Sequence, residues 1–145
     1  MSRARWRRAR KDGEEDEMRV FRAMLAAVIV LFAGPLSAQE LIGSYAAYIG
    51  QDDLYNSRGA RLTEPWQVLR QDRANYHRFG ISQPGDEWDP FFGDMNNRAA
   101  MERMIMNGRI DPAARQGLLR GDTTVVVRIY GRDNIGQYVE VTVGR

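Results

Sequence analysis

The chain has 145 residues, no cysteine, one histidine, and 21 basic against 19 acidic residues. The first 38 positions hold 8 of the basic and 5 of the acidic residues, so the remainder carries 13 arginines against 14 acids, a net charge of −1. That balance removes the cationic surplus on which nucleic-acid binding rests. The lack of cysteine excludes disulfides and cysteine-linked lipid anchors, and leaves about a hundred residues to stand on one hydrophobic core.

Residues 1–17, MSRARWRRARKDGEEDE, are a basic block followed by an acidic one, a composition that buries no apolar surface. They are expected to be disordered or a mis-assigned start, because residues 18–38 form a complete secretory signal beginning at Met18. Arg19 and Arg22 precede an uncharged run from Ala23 to Ala33, and Gly34-Pro35 and the small Ser37 and Ala38 follow it. At about 1.5 Å per residue the run is too short for a bilayer core of about 30 Å, so cleavage near Ala38 is expected and a transmembrane anchor is not. The expected location is periplasmic or secreted.

Residues 39–145 read as a single α+β domain. Residues 45–49 alternate Tyr45, Ala47 and Ile49 against Ala46 and Tyr48, the period of a strand. Asp52 and Asp53 interrupt it, and Asn56-Ser57-Arg58-Gly59 carries the residues of a type I turn, together suggesting a short irregular hairpin. The oxygen-rich Asp52, Asp53, Asn56 and Ser57 lack metal-site spacing and read as turn chemistry.

Residues 63–79 are predicted to be helical, with Thr63 as N-cap, Pro65 in the first turn and Gly80 as the stop. At about 100° per residue, Val68, Leu69, Tyr76 and Phe79 share one face with Asp72 in its middle, while Trp66, Arg70, Arg73 and His77 gather opposite. A buried Asp72 needs an arginine or a tyrosine hydroxyl from another element. His77 lies about 140° from Asp72 round the helix, so the two form no dyad there, and no serine sits in a nucleophile elbow. The face of Trp66, Arg70, Arg73 and His77 is expected to be solvated, with an anionic head group or glycan as its alternative ligand.

Residues 80–94, GISQPGDEWDPFFGD, form a long loop of three glycines, two prolines, four acids and three large aromatics. Its aromatics have two uses: Trp88, Phe91 and Phe92 plug the core, or Trp88 stands exposed among Asp86, Glu87 and Asp89 as a surface for a polar ligand or a partner protein. Asp86, Asp89, Asp94 and Asn96 lack the spacing of a calcium loop, so no metal or other cofactor is expected. Asp94 caps a second helix over residues 95–107 with a stripe of Ala100, Met101, Met104 and Ile105, and Asp111-Pro112 starts a short third one. Residues 122–143 are a hairpin. With Tyr130 opposite Tyr138, Arg128 faces Glu140 and Val127 faces Val141, so apolar and charge patterns select one register.

These elements assemble into a small antiparallel sheet with a C-terminal hairpin and two main helices packed on one face. The residues selected for binding are Asp72, Arg73, His77, Asp86, Trp88 and Asp89. The functional expectation is an exported, non-catalytic binding or interaction module for an envelope protein or polar ligand. A hydrolase of an envelope polymer, with a carboxylate as general acid or base, is the alternative.

Overall fold

The computed structural model describes residues 39–144; the expected signal and the segment before it lie outside the described residues. The centre of the fold is the C-terminal hairpin of β3 (Thr123–Arg132) and β4 (Ile135–Val143), where valine and isoleucine at alternate positions favour the extended backbone. Its register pairs Val125 with Val143, Val127 with Val141, Arg128 with Glu140 and Tyr130 with Tyr138, as the patterning requires. The turn uses Asp133 and Asn134 at φ 50° and 61°, the mirror-image geometry that matches strand twist. At Gly131 the register shifts by a bulge, and a Cβ there would stand 2.0 Å from the Ile135 carbonyl oxygen, which excludes any side chain.

The sheet has the order β1-β3-β4-β2 and is mixed, not wholly antiparallel. β1 (Glu40–Ile49) pairs antiparallel with β3, with a bulge between Leu41 and Gly43. The two-residue β2 (Arg109–Ile110) pairs parallel with β4, an addition too short to leave a periodic signal in the sequence. The expected hairpin after β1 is replaced by a 3-10 turn, Gln51–Leu54, and by an isolated bridge from Tyr55 to Arg61 around the Asn56–Gly59 turn. In that turn the Gly59 amide donates to the Asn56 carbonyl at 2.8 Å.

One sheet face supplies Tyr45, Ala47 and Ile49 from β1, Val125, Val127 and Ile129 from β3, and Val139 and Val141 from β4 to the core. The helices cover it. α1 (Pro65–Ala74) contributes Val68 and Leu69; its cap is Glu64, one residue later than expected, because the Gln67 side chain accepts from the Thr63 and Glu64 amides. The second predicted helix is divided at Ala100, where ψ is −3°, into α2 (Met95–Ala99) and α3 (Met101–Met106). Asp94 caps α2 through the Asn96 and Asn97 amides, and α3 buries Met101, Met104 and Ile105. α4 (Pro112–Arg120) buries Ala114 and Leu118 and ends at Gly121, φ 84°. None of the described helices is long and apolar enough to cross a membrane.

Candidate functional site

β1 is an edge strand, and the loop after α1 closes its open side. The Ala46 amide donates to Glu87 Oε2 at 2.7 Å, the Tyr48 amide to Asp86 Oδ1 at 2.8 Å, and the Gly50 amide to Asp53 Oδ2 at 2.9 Å. The Glu87 amide in turn donates to the Ala46 carbonyl at 2.9 Å. Three carboxylates thus occupy three alternate edge amides, which blocks that stretch against pairing with another strand. Asp86 also accepts the Gln83 amide at 2.7 Å, so this acid is committed to the loop and the edge.

The loop then turns inward at Asp89 and covers one side of α1. Arg73 donates through Nε to Asp72 Oδ2 at 2.7 Å, and through one Nη to Asp89 Oδ2 at 3.0 Å and to the Glu87 carbonyl at 2.9 Å. His77 Nε2 lies 3.0 Å from the same Asp89 oxygen, and Asp89 Oδ1 accepts the Phe92 amide. The guanidinium is 4.3 Å from the Tyr45 ring centre and 4.8 Å from that of Tyr76, so it is held between two aromatic faces as well as two carboxylates. Arg73 is 0% and Asp72 1% exposed. Desolvation pushes the Asp72 carboxyl up to about 7 against the pull of Arg73, and desolvation also works against the charge of Arg73 but is outweighed there by the carboxylates of Asp72 and Asp89.

This arrangement corrects the expectation of a solvated face at Arg73 and His77, while Arg70 on the same face is exposed. A helix beneath a long loop is buried on two sides, and wheel geometry anticipates only the side facing the sheet. The partner of Asp72 is accordingly its own neighbour, not an arginine from another element. The loop's aromatics divide between the two uses foreseen for them. Phe91 and Phe92 are buried, with Phe92 set edge-on to Tyr45 at 5.9 Å, whereas Trp88 is 67% exposed. The acids diverge: Asp86 to the β1 edge, Asp89 to Arg73, Asp94 to the start of α2. Among the described residues no group of histidine, aspartate and glutamate is placed to hold a metal ion. Of the six residues selected from sequence, Asp72, Arg73, His77 and Asp89 meet in one interior network, and Asp86 and Trp88 lie outside it.

A second polar centre opens to the surface. α1 continues into a π-helical turn, Asn75–Phe79, closed by Gly80 at φ 66°. The wider turn carries Phe79 out of the apolar stripe of α1, and its ring, expected in the core, is 51% exposed. Phe79, Ile81 and Tyr55 form the apolar wall of a cleft of about 400 Å³. Its polar lining comes from Gln51, Asp52, Asn56, Ser57 and Gln71, with Asn75 as the floor.

Asn75 is fully used. It donates to Asp53 Oδ1 at 2.8 Å and to the Asp52 carbonyl at 3.3 Å, and accepts from Gln71 Nε2 at 2.8 Å. Asp53, whose carboxyl is raised by burial, also accepts from Gly50 and Gln83, so the floor is a closed set of bonds. The walls are different. The side chains of Gln51, Asp52 and Ser57, Gln71 Oε1 and Asn56 Nδ2 hydrogen-bond to no other described residue. The cleft has the size of a small-molecule site, about 300–1,000 Å³.

Sequence reasoning named Asp52, Asp53, Asn56 and Ser57 as a turn, assigned Phe79 to the apolar face of the helix, and passed over Gln51 and Gln71. Gln71 and Asn75 at a spacing of four were the only sequence signal for a polar helix face there. Compared with known proteins, the chain matches no family model, no curated protein and no solved structure.

Proposed function

We propose that this chain is an exported, non-catalytic binding module of the periplasm or the extracellular space, and that its ligand site is the cleft at the π-helical turn. The observation that carries this reading is the half-exposed Phe79 ring beside polar side chains that bond to nothing else in the described fold. Exposing a phenylalanine by widening a helical turn forgoes roughly 1.5–3 kcal/mol of burial, and π-turns recur where a ligand must be met. The hydrolase alternative is weakened by the positions of its candidate acids, because Asp72 and Asp89 bond to Arg73, Asp86 and Glu87 bond to the β1 edge, and none of the four lines this cleft or the larger one, about 760 Å³, beside Gln137.

Two measurements test the reading. Amide NMR spectra of the protein purified from its cell, recorded against a library of polar fragments, are expected to shift at Gln71, Asn56 and Phe79; hits concentrated at the Arg73 network instead would overturn the site. N-terminal sequencing of the same material is expected to begin at Gln39, and a product that retains Arg3 to Arg10 would overturn export.

A further inference from the structure

We infer that the ligand of this cleft is a neutral saccharide, an assignment that rests on the cleft being the binding site. The argument starts from what the free groups in the lining offer. Gln51 brings a whole amide and Ser57 a hydroxyl, each able to donate and accept, whereas Gln71 offers its side-chain oxygen as an acceptor, Asn56 its side-chain nitrogen as a donor, and Asp52 its carboxyl oxygens as acceptors. A row of hydroxyls, each at once donor and acceptor, satisfies that mixture without leaving an unpaired partner on either side.

Charge excludes the nearest competitors. None of the residues lining the cleft is basic and Asp52 is acidic, so the lining itself offers an anionic ligand no cation. A cationic ligand would gain from Asp52 but meets like charge beside the aromatic walls. The Arg61 guanidinium lies 5.6 Å from the Tyr55 ring centre and that of Arg78 lies 5.1 Å from the Phe79 ring centre. Each guanidinium sets a positive charge beside the ring that an ammonium group would approach, while the Phe79 ring itself stays half exposed.

What remains suits an uncharged ligand with polar edges and an apolar face. The axial carbon-bound hydrogens of a glucopyranose ring give its faces an apolar character, and an exposed aromatic ring with an aliphatic neighbour, here Phe79 and Ile81, is the complementary surface. The closed hydrogen-bond set of Asn75, Asp53, Gly50 and Gln83 fixes the floor, so the walls meet the ligand already positioned.

The test is an NMR titration of the purified protein with cellobiose, maltose and diacetylchitobiose, set beside glucuronate, choline and trialanine as charged and peptidic probes. At least one disaccharide is expected to move the Gln51, Asn56 and Gln71 side-chain amide signals with saturation. Phe79→Ala, at an exposed position that leaves the fold intact, is expected to weaken that binding about tenfold or more. If glucuronate, choline or trialanine saturates the cleft signals while every disaccharide is silent, the saccharide assignment is overturned and the cleft stands. If no probe moves the cleft signals, both fall.

Discussion

Within five consecutive residues α1 and its π-helical extension build two polar centres of opposite kind. Asp72 and Arg73 point into an enclosed network in which the charged groups bond to one another and to Asp89 and lie against two tyrosine rings, while Arg73 Nη2 and the Tyr45 hydroxyl hydrogen-bond to no other described residue. Gln71 and Asn75, four apart on the same helix, face a cleft in which the floor is saturated and the walls are not. Chemical type alone does not separate them, since the charged residues that look most like a site are interior ties and the neutral amides form the open surface. What separates them is access, since Asp72 and Arg73 are enclosed while the cleft beside the half-exposed Phe79 opens to the surface.

The comparison breaks most visibly at Arg73. Arg73→Met leaves Asp72 and Asp89 buried without their cation, and a loss of about 3–5 kcal/mol is expected from chemical denaturation. A loss under about 1 kcal/mol would place the guanidinium outside the scaffold. Asp72 gives a pH-dependent version of the same test. Its folded value of about 7 lies above its ordinary 3.8, so the folded state holds the proton more tightly. Stability is then complete below about pH 4 and falls as pH rises towards about 7. Asp72→Asn is expected to remove that fall, so the variant gains on the parent across this window; parallel stability curves would contradict the buried acid. A smaller effect is expected at the loop's hold on β1. Asp86→Ala frees the Tyr48 and Gln83 amides and should cost about 1–2 kcal/mol, with a concentration-dependent increase in size by light scattering as the strand edge opens.

Much of the fold is legible in the sequence where two independent patterns agree. The β3–β4 register follows from valines on one face and the Tyr130–Tyr138 and Arg128–Glu140 pairs on the other, because a slip of one residue would invert both. The caps at Asp94 and the stops at Gly80 and Gly121 are local chemistry and are read directly. The site is less legible for three physical reasons. Burial of Arg73 depends on a loop that returns from sixteen residues further on, as in its bond to Asp89. The exposure of Phe79 depends on a change from α to π winding, which no residue between Asn75 and Phe79 announces. The cleft joins Gln51 and Ser57 to Gln71, Phe79 and Ile81, a proximity that only the packing of α1 beside the 3-10 turn creates.

The distinction between the two centres comes down to the Phe79 ring, and the denaturation midpoint of Phe79→Ala measures it most directly. A ring that serves a ligand and not the core predicts stability within about 0.5 kcal/mol of the parent. A loss of about 3 kcal/mol or more, the range for a buried phenylalanine, would put the ring in the core and close the cleft.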